Sequence, residues 1–396
     1  MNPNSWLGLT HTEATRLASR ITSGPHEPID VLAAVAASVI IEPGDGVWGE
    51  YAADTDHATV IAALVSATSA IEFANELGVQ CDGVLANAWE RWSPRLSQHA
   101  MVNAIEHAAH LGARLLLPTD PGWPAGFFDL GPHMPVALYV RGRTEDVEWS
   151  RGISLVGARA ATGYGEHVAS EIAADLASSE CVVISGAAYG IDGVAHRAAL
   201  AEGQPTAAFL AGGIDRLYPS GHSELFAQII QHGSVFSETP CGTAPSKFRF
   251  LQRNRLIAAA ARAVVVVEAG RRSGSLNTAG HAAALGRPLG AVPGPITSPS
   301  SAGCHYLLRE GAASCVTSAD EVRELVWGST QEYIEHSTPS ELLRVKDALS
   351  NTWQTTESVA STAGLGVRET AGWLSELHLM SSADTRDGRW RRKREP

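Results

Sequence analysis

Short apolar segments recur along the middle of the chain and are separated by amphipathic ones. The clearest is Ala263–Val267, a continuous Val-rich run that ends at Glu268 and is bounded by turn residues. A run this short and this apolar is typical of a strand buried on both faces of a parallel sheet. Similar segments predict strands at Arg114–Leu117, Val136–Val140, Ile153–Val156, Val182–Ser185, Thr206–Leu210, Ser234–Ser237, Ala263–Glu268, Leu289–Val292 and Ser314–Val316.

The segments between these runs predict helices. In the first of them Val168, Ile172 and Leu176 recur at helical spacing and form one apolar face. The predicted helices are Gly165–Ser178, Gly190–Glu202, His222–Gln231, Phe250–Ala261, Ser275–Leu285 and Ala319–Val326. Strands that alternate with helices over residues 106–328 predict an α/β domain with a doubly wound, mostly parallel sheet. Ligands of such sheets bind at the carboxyl ends of the strands.

Residues 1–105 show helical patterning without strand alternation. Ala-rich stretches such as Thr12–Ile21, Ile29–Ile41 and Ala58–Leu77 are broken by Gly24-Pro25 and by Pro43–Gly46. We expect a small helical domain that packs on its neighbour. A helical module that contacts DNA is the alternative, and scattered arginines are its main support.

The end of the chain predicts a further small domain. Residues 329–340 are interpreted as a polar linker, and residues 341–396 begin with a helical segment. A helix-turn-helix-like stretch, Thr356–Leu379, follows and precedes the basic sequence DGRWRRKR. This order of elements is that of a winged-helix-like domain. Binding of duplex DNA and docking of a protein are equally supported for it, because a fold alone does not give a function.

Composition limits the possible classes of protein. The chain has 396 residues, 44% of them hydrophobic, and a formal net charge of -12. No apolar stretch approaches the roughly 20 residues of a membrane span, and the first residues lack the layout of a secretory signal. Five scattered cysteines without a CxxC spacing indicate a reducing cytoplasm and argue against structural zinc or a disulfide framework.

One segment opposes the acidic trend of the whole chain. Between Lys247 and Arg287 eight cations stand against a single acid, Glu268, and we interpret this stretch as the working surface. The eight cations are Lys247, Arg249, Arg253, Arg255, Arg262, Arg271, Arg272 and Arg287. An acidic total charge does not exclude nucleic-acid binding, because binding depends on the local field in a groove.

Glycine-rich turns follow several predicted strands. Gly157–Gly165 opens a helix but lacks the G-x-G-x-x-G spacing, which argues against NAD or FAD. Arg159 in this turn is placed to clamp a phosphate or stack on a base, and a structural ion pair is the alternative. Ser273-Gly274-Ser275 precedes another helix, where free N–H groups and the helix dipole favour an anion.

The segment from Lys247 to Arg255 places Phe250 among cations. Single-stranded nucleic acid requires cations for its phosphates and an aromatic face for its bases. Packing of Phe250 in the core is the alternative. Elsewhere, Asp192 is interpreted as a helix-capping acid, His196 as a structural histidine, and the role of Tyr218 stays open. The candidate DNA-binding residues are Gly157, Arg159, Gly186, Lys247, Phe250, Arg253, Asn254, Arg255, Ser273, Gly274, Ser275 and Thr278.

The ordered series of motifs resembles the DNA-processing protein A (Smf) family over about residues 115–316. The motifs are GARAATGYG, SGAAYGIDGVAH, GGIDRLYP, SETP, the segment Phe250–Ala258, and VVEAGRRSGSLNTA followed by GRPLGAVPG. Two departures are the run Ala258–Arg262, where relatives more often have Ala-Gly-Leu-Ser, and His305, where Asn is common.

The resemblance implies an extended Rossmann-like domain that binds single-stranded DNA without catalysis or a nucleotide cofactor. It implies that Arg159 contacts DNA, that Lys247 and Phe250 form a contact pair, and that Ser273–Ser275 hold a phosphate. It further implies protection of incoming DNA, loading of the RecA recombinase during natural transformation, and a homodimer formed through this domain.

Two other classes of function remain. An enzyme of the Lonely guy phosphoribohydrolase type uses a comparable sheet edge, but its PGGxGT turn is absent here and Glu268 is the candidate acid. A transcriptional regulator could act through residues 341–396.

Overall fold

The computed structural model describes residues 5–6, 8–22, 24–328 and 339–393. Among these, the residues up to His110 fold mainly into helices. A short hairpin comes first and is followed by helices. In chain order the elements are β1 (Ser5–Trp6), β2 (Leu9–Thr10), α1 (His11–Ala18), α2 (Pro28–Ile40), α3 (Gly46–Asp54), α4 (His57–Ser66), α5 (Ala70–Glu76), α6 (Gly83–Trp92) and α7 (Gln98–His110).

One stretch that was predicted as a single helix forms two helices. Ala58–Leu77 forms two helices, α4 and α5, separated at Ala67, whose backbone is extended. Ser69 caps α5, because its hydroxyl accepts the Glu72 N–H at 3.3 Å. The Glu72 carboxylate in turn accepts the Thr68 N–H at 2.8 Å. These bonds satisfy the Glu72 N–H in the first turn of α5 and the Thr68 N–H just before it, and they fix a new helix start after Ala67.

The helical segment and the large sheet share one apolar core. Helix α2 is buried nearly all round, and Leu32 and Val35 belong to the same cluster as Tyr139 and Phe226 of the α/β part. The Tyr139 and Ser38 hydroxyls bond across this contact at 3.0 Å. Residues 1–328 accordingly form one compact unit, and residues 329–396 form a second.

A mixed sheet organises the rest of the larger unit. Its strands are β3 (Arg114–Leu116), β4 (Leu138–Gly142), β5 (Gly152–Gly157), β6 (Val182–Ser185), β7 (Thr206–Phe209), β8 (Ser234–Ser237), β9 (Ala263–Glu268), β10 (Leu289–Ala291) and β11 (Ser314–Cys315). Within the described residues their order is β11-β10-β9-β5-β6-β7-β8-β4-β3. Strands β5 to β11 pair in parallel, while β4 pairs antiparallel with both β8 and β3.

The strand order reverses direction at β5. From β5 the chain steps outward to β6, β7 and β8, then returns to β9 on the other side and steps outward to β10 and β11. The carboxyl ends of β5 and β9, at Gly157 and Glu268, therefore flank a topological switch point. A crevice opens there, because the loops after the two strands leave in opposite directions.

Helices cover both faces of the sheet. They are α8 (Gly163–Ser178), α9 (Ile191–Ala201), α10 (Ser223–His232), α11 (Lys247–Ala260), α12 (Ser275–Ala284), α13 (Ala302–Arg309) and α14 (Ala319–Trp327). Strand β9 contributes to two clusters: Val264 and Val266 pack with α11 and α12, and Val265 and Val267 pack with α8 and α14. The prediction of a strand buried on both faces is confirmed. None of the described helices has the length and apolar content that crossing a membrane requires.

The doubly wound α/β prediction is confirmed, and the differences are local. The antiparallel direction of β3 and β4 was not predicted, because strand composition carries no direction. Helix α13 was missed since it is only eight residues long. Helix α11 begins at Lys247 rather than at Phe250, because the Ser246 hydroxyl accepts the Arg249 N–H and caps it there.

The second unit has the element order of a winged helix. Its elements are α15 (Ser340–Ala348), β12 (Gln354–Thr355), α16 (Thr356–Ala363), α17 (Val367–Leu379), β13 (Ala383–Arg386) and β14 (Arg389–Arg392). The strands form an antiparallel sheet in the order β12-β14-β13. Gly364, at a φ of 66°, makes the turn between α16 and α17 that a residue without Cβ adopts freely. Residues 329–338 of the predicted linker lie outside the described residues.

Candidate functional site

An open cleft of about 790 Å³ lies at the switch point, over the carboxyl ends of β5 and β9. It brings together ten of the twelve candidate DNA-binding residues: Gly157, Arg159, Lys247, Phe250, Arg253, Asn254, Ser273, Gly274, Ser275 and Thr278. Gly186 and Arg255 do not line it. The ten residues come from the end of β5, from the turns after β5 and β9, and from helices α11 and α12. These segments are far apart in the sequence and meet because parallel strands end at the same edge of the sheet.

The half-buried ring of Phe250 lies at the centre of this cleft. The guanidinium carbon of Arg159 lies 4.6 Å from the ring centroid, and that of Arg253 lies 5.9 Å from it. Tyr218 meets the same ring edge-on, with 5.8 Å between centroids. Phe250 is therefore an aromatic face with two cations beside it and a neighbouring exposed tyrosine, not a residue of the apolar core.

Three cations of the cleft are free to bind an anion. Arg159, Lys247 and Arg272 are exposed, and none of them forms an ion pair with any residue that the structure describes. Arg272 was one of the eight cations of the predicted working surface but was not among the twelve candidate DNA-binding residues. Its position directly before Ser273 was the signal that could have identified it, because a side chain at the mouth of an anion-binding turn faces the same ligand.

Arg253 holds the floor of the cleft and is buried. Its Nη1 donates to the Gly186 carbonyl oxygen at 2.8 Å and also to the Phe209 carbonyl oxygen. These bonds join the ends of β6 and β7. Burial lowers the pKa of Arg253 to about 10, while the Asp192 carboxylate opposes that shift. A Cβ at position 186 would overlap the Arg253 guanidinium, so Gly186 makes room for this contact.

The Ser-Gly-Ser turn is held by α11. The Asn254 side-chain amide donates to the Gly274 carbonyl oxygen and to Asn277 Oδ1, each at 3.2 Å. The Ser273 and Ser275 hydroxyls bond to each other at 2.7 Å. The N-cap residue of α12, Gly274, has no side chain to cap the helix, and the Ser273 hydroxyl accepts the Ser275 N–H at 3.4 Å. Asn254 is therefore a positioning residue, and the turn presents the positive end of α12 to the cleft.

Glu268 anchors the loop that carries Arg159. Both carboxylate oxygens are bonded to Thr162: Oε2 accepts its N–H at 2.9 Å and Oε1 accepts its hydroxyl at 2.8 Å. The side chain is 2% exposed and does not line the cleft. This geometry gives Glu268 a structural task at the switch point, where it links β9 to the start of α8.

Several arginines of the predicted working surface are bound to carboxylates elsewhere. Arg255 donates to both oxygens of Glu238, at 2.8 and 2.6 Å, and Arg249 donates to both oxygens of Glu42, at 3.0 and 2.9 Å. Arg287 pairs with Asp129. Arg262 precedes β9 and therefore lies at the opposite edge of the sheet. The interpretation of all eight cations as one surface is therefore wrong, because sequence proximity does not give the partners of a guanidinium.

Two polar residues of α9 are structural, and one of them, Asp192, lines the cleft. Asp192 is buried in the first turn of α9, where Oδ2 accepts the Ala188 N–H at 3.3 Å, and burial raises the pKa of its carboxyl group. Asp192 is therefore not the N-cap residue of α9, which is Gly190. It binds an N–H group of the preceding turn from inside the first turn of the helix. His196 is fully buried and its Nδ1 bonds to the Thr206 hydroxyl at 2.7 Å.

A doubly wound sheet with a cationic, aromatic-containing cleft at its switch point defines a class of α/β proteins that bind anionic ligands on strand–helix turns. The model of the family described as DNA recombination-mediator protein A matches residues 114–326, just over half of the chain. The chain belongs to this family.

Individual relatives agree with the family assignment. A putative DNA processing protein DprA of Mycobacterium tuberculosis is 46% identical over 308 residues, which cover 72% of this chain and 79% of the relative. Protein Smf of Escherichia coli is 36% identical over 62% of this chain and 68% of its own length. The X-ray structure of DprA from Streptococcus pneumoniae superposes with a TM-score of 0.59 at 28% identity, covering 74% of this chain and 96% of that one.

Proposed function

We propose that the protein binds single-stranded DNA in the cleft and acts by binding, as a recombination mediator. The observation that carries this proposal is the ring of Phe250 beside the unpaired Arg159, in a cleft that the unpaired Lys247 and Arg272 also line. Membership of the DNA recombination-mediator family supports the ligand class. The candidate residues Arg159, Lys247 and Phe250 are the direct contacts in this proposal.

The exposed groups of the cleft indicate which residues would contact phosphates and which would contact a base. Arg159, Lys247 and Arg272 would contact phosphates, and the N-terminal end of α12 would hold one more phosphate at the Ser-Gly-Ser turn. Phe250 would stack on a base, which contributes about 1–3 kcal/mol. Since Arg159 covers the Phe250 ring at 4.6 Å, a base that takes this face moves the guanidinium toward a phosphate. A duplex offers no free base face, so unpaired strands are favoured.

The test is the affinity for oligo-dT and for a duplex of the same length across a range of salt. Arg159→Ala and Lys247→Ala should each weaken oligo-dT binding and reduce the slope of log affinity against log salt by about 0.7. Phe250→Ala should weaken it about fivefold to a hundredfold with little change in that slope.

Arg197→Ala is the matched control, because Arg197 is exposed on α9, lies outside the cleft, and has no ion pair with any described residue. Its affinity should equal that of the unaltered protein. The proposal fails if Arg159→Ala and Lys247→Ala bind oligo-dT as tightly as Arg197→Ala does while all three unfold at the same urea concentration.

Loading of RecA and protection of the strand belong to the same proposal and rest on the family resemblance. The measurement is the lag before RecA ATP hydrolysis on DNA coated with a single-strand-binding protein. The unaltered protein should shorten the lag, and Lys247→Ala should not. Protection predicts slower nuclease digestion of the bound oligonucleotide, with the same dependence on Lys247.

A homodimer through the α/β domain is also proposed. The edge strand β11 is exposed at Ser314 and Cys315, so a second copy has an open strand edge to contact. Analytical ultracentrifugation tests this directly. A reducing cytoplasm remains the proposed location, in accord with five cysteines that form no disulfide.

The enzyme alternative is not favoured by the geometry of its candidate acid. Glu268 is buried and both of its oxygens are bonded to Thr162, so it does not reach a ligand in the cleft. Release of free base from nucleoside monophosphates would overturn the proposal of action by binding alone. Duplex binding by the winged-helix-like domain is a separate possibility, which exposed Arg386 and Arg389 support. Its test is duplex affinity after deletion of residues 341–396.

A further inference from the structure

A second group of arginines lies at the edge of the sheet opposite the cleft. Arg151 immediately precedes β5, Cys181 precedes β6, and Arg262 precedes β9, so all three stand at the amino ends of parallel strands. Arg323 and Trp327 reach the same place from α14. An open cavity of about 510 Å³ is lined by Ser150, Arg151, Cys181, Arg262, Arg323 and Trp327.

The lining of this cavity is positive. Three guanidinium groups face it and no carboxylate lines it. The acids that meet Arg151 and Arg323 are Glu180 and Asp320, whose side chains are 76% and 83% exposed and are therefore largely hydrated. Burial raises the pKa of the Cys181 thiol, so this group adds no negative charge at neutral pH.

Some guanidinium N–H groups around the cavity have no hydrogen-bond acceptor among the described residues. The exposed Arg262 side chain makes no hydrogen bond or ion pair with any residue that the structure describes. The buried Nε of Arg151 likewise has no acceptor among the described residues. By contrast, Arg151 Nη2 donates to the Ser179 carbonyl oxygen, and Arg323 Nη1 donates to the Ser179 hydroxyl at 2.8 Å. Two arginines are thus held in place by Ser179 while the third is free to close on a ligand.

We propose that this cavity, which we call the rear arginine site, binds phosphate groups, and that their source is the part of a DNA strand that extends beyond the cleft. Planar guanidinium groups suit phosphate oxygens, which they bind through paired donors. Trp327, which is 48% exposed, adds a face on which a base stacks. The choice of DNA as the source rests on the proposed function; the affinity for phosphate does not.

The position of the site sets the length of strand it requires. Strand β5 has six residues, so the cleft and the rear arginine site are separated by at least about 20 Å along the sheet. A fully extended unpaired strand reaches about 7 Å per nucleotide, twice the roughly 3.4 Å of a stacked duplex strand, so a strand of about four nucleotides is too short to place phosphates in both sites. A short oligonucleotide therefore tests the cleft alone, and a long one tests both sites.

The experiment compares oligo-dT of about 4 and about 40 nucleotides on full-length protein. Arg262→Ala should weaken the longer strand about tenfold and leave the shorter one unchanged. Trp327→Ala should act in the same direction. Arg262 is a suitable target because its side chain has no internal bond to lose, and Arg197→Ala again serves as the matched control. Unchanged affinity of both Arg262→Ala and Arg262→Glu for the longer strand overturns the polynucleotide source.

A second experiment tests the rear arginine site independently of whether the cleft binds DNA. Inorganic pyrophosphate is added to the Arg159→Ala/Lys247→Ala variant, and the thermal midpoint is recorded with and without Arg262→Ala. A rise in the midpoint that requires Arg262 supports a phosphate site even if no oligonucleotide binds, and it then assigns free phosphate compounds as the source. Lack of any Arg262-dependent rise, together with unchanged binding of the long strand, overturns the proposal. Stabilisation by polyglutamate but not by pyrophosphate also overturns it, in favour of an acidic protein partner.

Discussion

Replacing Arg255 tests whether this cation of α11 stabilises the fold through its ion pair with Glu238 or contacts DNA. The sequence places Arg255 among the DNA contacts, whereas the structure buries it at 3% exposure. It donates to both Glu238 oxygens and, through Nε, to the His133 carbonyl oxygen at 3.1 Å. Arg255→Ala would leave the Glu238 carboxylate, 10% exposed, with the Gly44 N–H at 3.3 Å as its remaining donor among the described residues.

The magnitude of the effect follows from the uncompensated charge. Removing one partner of a buried ion pair costs about 3–5 kcal/mol, because the other charge stays desolvated without its counterion. This is a large part of the roughly 5–15 kcal/mol by which a folded domain is stable. Arg159→Ala, in comparison, removes an exposed cation–π contact of about 0.5–1 kcal/mol. Arg255→Ala should therefore destabilise the fold far more than Arg159→Ala does.

The assay combines urea unfolding, followed by tryptophan fluorescence, with oligo-dT affinity. Affinity is measured at a temperature where each variant is more than about nine-tenths folded, so that unfolding does not imitate lost contact. We expect a much lower urea midpoint for Arg255→Ala and an affinity within about threefold of the unaltered protein. Arg255→Met/Glu238→Met should recover much of the midpoint, since an apolar pair replaces a buried ion pair at little net cost.

The opposite result would refute the assignment. If Arg255→Ala unfolds at the same urea concentration as the unaltered protein and loses oligo-dT affinity to the same extent as Arg159→Ala, then Arg255 contacts the DNA. The ion pair with Glu238 would in that case be a contact that DNA replaces.

Two further variants test other parts of the framework. Glu268→Ala removes both hydrogen bonds to Thr162, so the loop that carries Arg159 loses its anchor. Oligo-dT binding should weaken about as much as it does in Arg159→Ala. Unaltered affinity would show that other contacts hold the loop. Burial lowers the pKa of His196 to about 3, so between that pH and the usual 6.5 the unfolded chain binds a proton that the folded chain refuses. As the pH is lowered below about 6.5, the free energy of unfolding should therefore decrease by up to about 1.4 kcal/mol per pH unit. In His196→Leu the urea midpoint should depend less on pH over this range. Equal pH dependence in both proteins would contradict the prediction.

The location of the cleft follows from patterns that the sequence does carry. The Val-rich run at Ala263–Val267 has the length and composition of a doubly buried strand, and strands alternating with helices specify a parallel sheet. Once the sheet is parallel, turns after different strands must meet at one edge. For this reason the order of strands and helices alone is enough to predict that Arg159 and Ser275, which are 116 positions apart in the chain, share one site.

The partners of individual arginines could not be predicted in the same way. Arg249 bonds to Glu42, which is 207 positions away in a different part of the fold. Nothing in a local pattern reports such a contact, because it depends on how the helical segment packs against α11. The sequence patterns therefore predict which segments meet in the cleft, but they overestimate the number of cations that are free within it.

The bounds of α11 explain which of its residues face the cleft. With the helix starting at Lys247, residues Lys247, Phe250 and Asn254 are spaced i, i+3 and i+7 and share one face. At about 100° per residue, Arg249 lies roughly 160° from Lys247, and Arg255 lies roughly 140° from Phe250. These two arginines therefore turn toward the carboxylates of Glu42 and Glu238, which neutralise them.

This division of charges explains how a chain with a net charge of -12 is compatible with the proposed polyanion site. Surface charges act over about 8 Å at physiological salt, so acids elsewhere on the molecule contribute little to the field at a phosphate held in the cleft. What decides affinity is the number of nearby cations without a carboxylate partner, and in the cleft these are Arg159, Lys247 and Arg272. A substitution that places an acid beside one of them should weaken binding more than the same acid placed on a distant surface, although both change the net charge equally.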